Sequence, residues 1–165
     1  MITPVLVIDT SYLLELFQVP DCFSPKRSHA IKARLAKEIK IGARLFVPLP
    51  VVFELANHIA HVRSGAERKR LAGLLLSSVE GSIRGEGPWI LIPAKDPMNE
   101  LRELCAAFAA SYASQSVGLT DACIIEEAKR LRNKYPAKTY RIHIWTTDAS
   151  LKSHEPDAEP YRLPP

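Results

Sequence analysis

Four acidic residues stand where an open α/β sheet would expose its ligand-binding edge: Asp9, Glu54, Asp121 and Asp148. Asp9 ends the apolar run at residues 5–8, and Asp148 follows the strand-like stretch at residues 142–145. The other two lie in the first turns of two predicted helices, over residues 50–62 and 120–135. Ligands of parallel sheets bind outside the carboxyl ends of the strands, where the strand order reverses. We therefore expect the four carboxylates to converge at that edge.

Four carboxylates in one place would repel one another unless a cation neutralised them. Mg²⁺ and Mn²⁺ are hard cations that prefer oxygen ligands of this kind. A bound metal ion lowers the pKa of its water and screens the charge of an attacked phosphate. The acidic positions thus predict a metal-dependent enzyme that acts on phosphate esters, with the same four residues as metal ligands and catalytic groups.

Hydroxyl groups accompany three of these acids: Ser11 near Asp9, Thr120 beside Asp121, and Thr146 near Asp148. Such hydroxyls can hold a metal-binding carboxylate in one rotamer, so we expect them to support the site. Thr10 and Ser11 are also expected to cap the helix after the first strand, and Thr120 is the expected N-cap of its own helix. An aspartate that follows a strand is otherwise a cap or turn residue. The prediction of a site therefore depends on the four acids taken together.

Strand-like and helix-like segments alternate along the chain. Short apolar runs typical of strands occur at residues 5–8, 44–47, 89–92 and 142–145. Between them, apolar residues recur at helical spacing, most clearly over residues 98–114. This alternation predicts one α/β domain over residues 1–165, in which a parallel sheet of four to five strands lies between helical layers. A proline-rich tail begins near residue 153, and residues 161–163 are expected to add an edge strand.

The composition predicts a cytoplasmic domain with a mild basic bias. The chain has 165 residues, 47% of them hydrophobic, which suffices for one domain with a sizeable core. A formal charge of +4 and a pI near 9.0 are compatible with a polyanionic partner. The three cysteines lack C-x-x-C spacing, which indicates reduced thiols. We expect no signal peptide, and no apolar stretch approaches the ~18–20 residues of a membrane span.

Other chemistries fit the sequence less well. One helical face carries Glu54, Asn57, His58 and His61. That face could hold a transition metal, but the H-E-x-x-H order of a metalloprotease is absent. A haloacid-dehalogenase-type phosphatase needs a second aspartate where Ser11 stands, and a response-regulator receiver needs an acidic neighbour for Asp9. The seven glycines form neither G-x-x-x-x-G-K-[ST] nor G-x-G-x-x-G, so the usual phosphate cradles of nucleotide-binding proteins are missing.

The segments that carry the four acids resemble the signatures of PIN-domain ribonucleases. They read VIDTS at residues 7–11, PVVFELA at 50–56, LTDACII at 119–125 and WTTD at 145–148. Their order and spacing match the family over nearly the whole chain, although residues 65–97 and the tail after Ser153 match no signature. By position, the four acids correspond to the family's acidic residues and Thr146 to its hydroxyl. Thr147 stands where the family often has an asparagine.

The resemblance implies a parallel sheet flanked by helices, Mg²⁺ or Mn²⁺ held by the acidic residues, and single-stranded or structured RNA as substrate. Many bacterial members of the family are toxins of toxin–antitoxin pairs and form homodimers, so a homodimer and an antitoxin protein are the implied partners. A basic cluster that could contact the RNA backbone consists of Arg63, Arg68, Lys69 and Arg70. The same cluster is also compatible with a solvated helix face.

Three functions are compatible with these residues. The first is a metal-dependent endoribonuclease that cleaves RNA phosphodiester bonds through a four-carboxylate Mg²⁺ or Mn²⁺ site. The alternative is a non-catalytic PIN-like module that binds RNA or a protein partner. A phosphatase or a flap-type DNA nuclease that uses the same carboxylates is the third.

Overall fold

The computed structural model describes residues 2–159 and contains one sheet of four parallel strands. The strands are β1 (Thr3–Ile8), β2 (Arg44–Pro48), β3 (Trp89–Ile92) and β4 (Tyr140–Trp145). Their order in the sheet is β3-β2-β1-β4. From β1 the chain moves to β2 and β3 on one side, and β4 then returns to the other side of β1. The strand order therefore reverses between β1 and β4, whose carboxyl ends form the switch point of the sheet.

Seven α-helices flank the sheet in the described part of the chain. They are α1 (Thr10–Phe17), α2 (Pro25–Lys40), α3 (Leu49–Ala60), α4 (Gly65–Arg84), α5 (Pro97–Ala107), α6 (Leu119–Lys134) and α7 (Ala149–Lys152). Helix α6 lies against β1, β2 and β4, whereas α1 contacts both α2 and α3. The predicted three-layer α/β fold with a parallel sheet is confirmed.

The central strand β1 shows why the sheet needs cover on both faces. Its residues from Val5 to Ile8 are all fully buried, although neighbouring side chains of a strand point to opposite faces. The predicted stripe of α6 is also buried: Ile124, Ile125, Ala128 and Leu131. Burying an aliphatic side chain of this size contributes about 1.5–3 kcal/mol. The core thus fixes the two elements that begin or end at the switch point.

The predicted helix over residues 98–114 is shorter in the structure. Helix α5 ends at Ala107, and the chain continues as a π-helical turn, Phe108–Tyr112, and a 3₁₀ turn, Ala113–Gln115. The wider turn carries Tyr112 to α6, where its hydroxyl donates to Glu126. Apolar spacing along residues 98–114 does not distinguish an α-helical turn from a wider one, so helical periodicity alone could not reveal this change.

The segment after α7 runs along the outer edge of β4. The backbone N–H of Ile142 donates to Asp157 Oδ2 at 2.7 Å, and the N–H of Asp157 donates to the carbonyl of Ile142 at 3.2 Å. Glu155 Oε2 accepts from the N–H of Ile144 at 3.2 Å. Side chains of the tail thus satisfy backbone groups that a fifth strand would otherwise satisfy. The edge strand predicted at residues 161–163 lies outside the described residues.

None of the helices within residues 2–159 is long and apolar enough to cross a membrane.

Candidate metal centre

Asp9 lies at the junction of β1 and α1, directly at the switch point. It is 6% exposed, and its backbone N–H donates to the carbonyl of Trp145 at 3.0 Å, which ties it to the end of β4. Asp9 itself is the N-cap of α1, because its carboxylate accepts from the N–H groups of Thr10 and Ser11. The expectation that Thr10 and Ser11 would cap this helix is wrong, since the helix already begins at Thr10.

Two hydroxyls connect Asp9 to the loop after β4. Ser11 Oγ donates to Asp9 Oδ2 at 2.6 Å and accepts from the N–H of Thr147 at 2.9 Å. Thr146 Oγ1 donates to the same carboxylate oxygen at 2.8 Å and accepts from the N–H of Asp148 at 2.9 Å. Each hydroxyl therefore donates to Asp9 and accepts from the loop that carries Asp148. The two segments keep a fixed spacing because of these contacts.

Asp148 is exposed and forms the N-cap of α7. Its Oδ1 accepts from the N–H of Ser150 at 2.7 Å and from that of Leu151 at 3.4 Å. Carboxylates favour this position because it satisfies free N–H groups at the positive end of the helix dipole. The capping contacts hold one carboxylate oxygen of Asp148 and fix the orientation of its side chain.

Glu54 reaches the site from α3 and is half-buried. The prediction that it lies in the first turn is wrong, because α3 begins at Leu49 and Glu54 is its sixth residue. The hydroxyl of Thr10 donates to Glu54 Oε2 at 3.0 Å. Since Thr10 directly follows Asp9, this contact connects α3 to the first acidic segment. The two residues are 44 positions apart, and no spacing in the sequence indicates that they meet.

Asp121 lies in the first turn of α6, as the sequence predicted. Burial raises the pKa of the Asp121 carboxyl above its usual range. The negative charges of the other three carboxylates raise this pKa further, whereas a hydrogen bond with the backbone of Gly118 lowers it. The four carboxylates therefore share one electrostatic environment. We call them the edge cluster: Asp9, Glu54, Asp121 and Asp148.

Thr120 does not have the role that its position suggested. The N-cap of α6 is Gly118, and Thr120 is the second residue of the helix, half-buried. Among the described residues, its hydroxyl makes no hydrogen bond to the edge cluster, unlike the hydroxyls of Ser11 and Thr146. The prediction of Thr120 as the N-cap is wrong because the helix begins one residue earlier, at Leu119.

In the part of the chain that the structure describes, no protein cation pairs with the edge cluster. Within residues 2–159, none of its four carboxylates forms an ion pair. The oxygens of three or more of them do not all lie within 4.8 Å of one another, as expected for like charges without a counterion. An all-oxygen set of anionic donors suits Mg²⁺ or Mn²⁺. Burial raises the pKa of Asp121 most, and the neighbouring carboxylates raise it further. The residues present therefore fit a divalent cation.

A second cluster of acidic residues lies beside the outer edge of β4. His143, Glu155 and Glu159 bring candidate ligand atoms within 4.8 Å of one another. Here, however, Lys152 Nζ lies 2.6 Å from Glu155 Oε2 and 2.8 Å from Glu159 Oε2, and Arg34 pairs with Glu159. We call this group the tail cluster: His143, Lys152, Glu155 and Glu159 with Arg34. Its negative charges are already balanced by protein cations.

The rival histidine site does not assemble. His61 is exposed, and its Nδ1 lies 2.7 Å from the carbonyl of Asn57, to which it can donate. His58 is half-buried, and its Nδ1 lies 3.7 Å from Cys22 Sγ. Within the described residues, Glu54 and these histidines do not form a group with ligand atoms close enough for one metal ion.

The predicted basic cluster lies on the loop before α4 and its first turns, and two of its four members have internal partners. Arg68 Nη1 donates to the carbonyls of Val62 and Arg63 and so holds the turn between α3 and α4. Arg70 pairs with Glu67 at 2.6 Å. Arg63 and Lys69 are exposed and, in the described structure, form no ion pair. They are the members that a phosphate could reach without breaking a contact.

Comparison with protein-family models and with curated proteins gave no match for this chain.

Proposed function

We propose that this protein is a metal-dependent endoribonuclease of the PIN type. The observation that carries the proposal is the edge cluster, in which four acids from four separate segments share one environment at the switch point of a parallel sheet. Within the described residues, they form no ion pair with a protein cation. Such an arrangement costs stability unless a cation binds, whereas ordinary helix caps need no acidic neighbours. The resemblance of the acidic segments to PIN-domain signatures supports RNA as the substrate.

The chemistry that we propose assigns a role to each residue. Asp9, Glu54, Asp121 and Asp148 would hold Mg²⁺ or Mn²⁺, which supplies a water of lowered pKa and screens the charge of the phosphate. Ser11 and Thr146 hold Asp9 in one rotamer and keep the loop of Asp148 at a fixed distance. The hydroxyl of Thr10 does the same for Glu54. Asp121, held in the first turn of α6, would complete the set of carboxylates around the ion.

The partners are part of the proposal. Arg63 and Lys69 are available to contact the RNA backbone, whereas Arg68 holds the turn before α4 and Arg70 is paired with Glu67. The three free thiols support a reducing compartment, and we propose a cytoplasmic location. We extend the proposal to a toxin that forms a homodimer and is controlled by an antitoxin, as in the family that the acidic segments resemble. A small upstream reading frame for a DNA-binding protein would support that extension.

A specific surface favours the second candidate, a non-catalytic binding module. A groove of ≈ 410 Å³ lies between α3 and α4 and is lined mainly by apolar side chains, including Val52, Leu75 and Val79. Leu76, on its rim, is 59% exposed. Exposed apolar surface of this kind is typical of protein interaction sites.

Cleavage of single-stranded RNA separates the two candidates. We expect cleavage in Mn²⁺ or Mg²⁺, no cleavage in EDTA, and a rate loss of at least ~10²-fold for Asp121→Asn or Asp148→Asn, because each removes charge from the metal site. Asp21→Asn is the matched control: Asp21 is an exposed loop residue with φ 63°, a conformation that asparagine tolerates. RNA binding without cleavage in either metal would favour the binding module. Cleavage that persists in EDTA would place the chemistry elsewhere in the protein.

A further inference from the structure

Helix α7 is too short to be stable by itself. It has four residues, Ala149–Lys152, which amount to about one turn, and isolated turns of helix do not persist in water. Its N–H groups at Ser150 and Leu151 are the ones that the Asp148 carboxylate caps. The orientation of Asp148 therefore depends on α7 remaining folded. Leu151, which is 4% exposed, supplies the one buried apolar side chain of the helix.

Lys152 fastens the other end of α7. Its Nζ donates to the backbone carbonyl of Ile144 at 2.9 Å, in the strand that leads to Asp148. The same ammonium group donates to Glu155 Oε2 at 2.6 Å and to Glu159 Oε2 at 2.8 Å. Burial lowers the pKa of Lys152, while the contact with Glu155 acts in the opposite direction. One half-buried lysine thus joins the helix, the strand and the tail.

The acidic partners of Lys152 are themselves fixed. Glu155 Oε2 accepts from the N–H of Ile144, the residue whose carbonyl Lys152 binds. Glu159 is paired with Arg34 of α2, and its N–H donates to Glu155 Oε1 at 3.0 Å. Each charged group therefore has a defined set of partners. The tail cannot shift along β4 by one residue without breaking these contacts.

Ion pairs at such a position are a poor source of stability. Removing charged groups from water costs about as much as their attraction returns, and apolar replacements are often as stable. Ionic and hydrogen-bonding groups do, however, select one arrangement among several of similar energy. The tail cluster is thus better suited to fixing the register of α7 and the tail than to stabilising the fold.

We propose that Lys152, held by Glu155 and Glu159, is a positioning residue that keeps α7 folded and so orients the Asp148 carboxylate for metal binding. This inference rests on the proposed function, because it concerns the same metal centre. Lys152 acts through α7 and does not contact the metal. Residues that orient a metal ligand typically change metal affinity by about 10–100-fold.

Two measurements on Lys152→Met test the proposal. In calorimetry at a temperature where both proteins are folded, we expect the Kd for Mn²⁺ to rise about 10-fold. In amide hydrogen exchange, we expect faster exchange at Ser150 and Leu151, with the amides of α6 unchanged. Lys152→Arg keeps the cation and should recover most of the affinity. Lys129→Met is the control, because Lys129 also pairs with a glutamate three residues away, Glu126, at 3.0 Å.

The outcomes are distinct. A lower Tm with unchanged Mn²⁺ affinity would show that Lys152 is merely structural and overturn the proposal, as would unchanged exchange at Ser150 and Leu151. An equal loss of affinity in Lys129→Met would also overturn it. Absence of Mn²⁺ binding in the wild type would contradict the proposed function instead. The exchange measurement would then still decide whether Lys152 holds α7.

Discussion

The edge cluster and the tail cluster are both rich in carboxylates, but the pKa of a carboxyl is raised in the first and lowered in the second. In the tail cluster, burial by itself would raise the pKa of Glu155, but contacts with His143 and Lys152 outweigh it and lower the pKa. In the edge cluster, burial and the neighbouring carboxylates both raise the pKa of Asp121. The tail cluster is complete as folded. The edge cluster, by contrast, has carboxylates that no cation of the described residues pairs with. This difference distinguishes a structural network from a candidate metal site.

Metal binding should therefore stabilise the protein through one cluster only. A ligand at a concentration 100-fold above its Kd adds about 2.7 kcal/mol to the free energy of unfolding. We therefore expect Mn²⁺ to raise the Tm by about 5–10 °C. Asp9→Asn should abolish this gain, since it removes the most buried carboxylate of the edge cluster. Glu159→Gln should keep most of it, because Lys152 still binds Ile144 and Glu155. Thermal unfolding of the wild type and of both variants, with and without Mn²⁺, measures these changes in Tm. If Mn²⁺ raised the Tm of Asp9→Asn as much as that of the wild type, the assignment of Asp9 as a metal ligand would be contradicted.

The tail cluster should lose stability when a charge is removed. A carboxyl whose pKa is lowered by folding stabilises the fold above its unfolded pKa, near 4.5, and this contribution is lost as the pH falls through the folded value. Glu155→Gln should thus lower the Tm at pH 7 by about 4–8 °C, for a charged hydrogen bond of ~2 kcal/mol. The difference in Tm between Glu155→Gln and the wild type should become smaller in acid. A pH-independent difference would mean that packing, not charge, is responsible.

In the edge cluster, removing a carboxylate charge should raise the Tm of the metal-free protein. A carboxyl whose pKa is raised by folding favours the fold below its unfolded pKa, near 3.8, and this advantage is lost as the pH rises through the folded value. Without metal, Asp121→Asn should therefore raise the Tm at pH 7, by roughly 2–4 °C if the repulsion is ~1 kcal/mol. The gain should vanish in acid, and saturating Mn²⁺ should make the wild type the more stable protein. If metal-free Asp121→Asn had a lower Tm than the metal-free wild type, repulsion among the carboxylates of the edge cluster would not be the dominant effect at this position.

The smallest expected effect concerns how RNA approaches the edge cluster, whose charge repels phosphate. If Arg63 and Lys69 attract the backbone, replacing both with alanine should reduce the slope of log K against log salt by about 1.4, or ~0.7 for each lost contact to a single strand. Arg70→Ala is the control, since its guanidinium is already paired with Glu67. An unchanged slope in the double variant would make the cluster a solvated or protein-binding face.

Patterns along the chain were sufficient for the fold and for the positions of three of the four acids. Glu54 is the exception, because it lies beyond the first turn of α3. The apolar run of β1 and the stripe of α6 are local signals, and the structure confirms both elements. The carboxyl end of a parallel strand is also a local feature, so Asp9 and Asp148 could be assigned to one edge. The contact between Thr10 and Glu54 could not be predicted, because it joins elements whose relative position depends on the packed core.

The tail cluster was missed for a related reason. In the sequence, Glu155 and Glu159 belong to a polar, proline-containing segment that is typical of a solvated tail. Their role appears only when β4 presents unpaired backbone groups at the edge of the sheet. A charge pattern identifies ionisable residues, but it does not say whether water or a strand edge will surround them.

The pairing of β1 with β4 also determines when the edge cluster can assemble. Thr146 and Asp9 share a hydrogen bond although 137 residues separate them. At ribosomal rates of about 5–20 residues per second, roughly 7 to 30 s pass between the synthesis of these two residues. Until then β1 lacks one neighbour, and Asp148 does not yet exist. A nascent chain therefore carries an incomplete edge cluster. Under the proposed function, it could not cut the message from which it is being translated before β4 has docked.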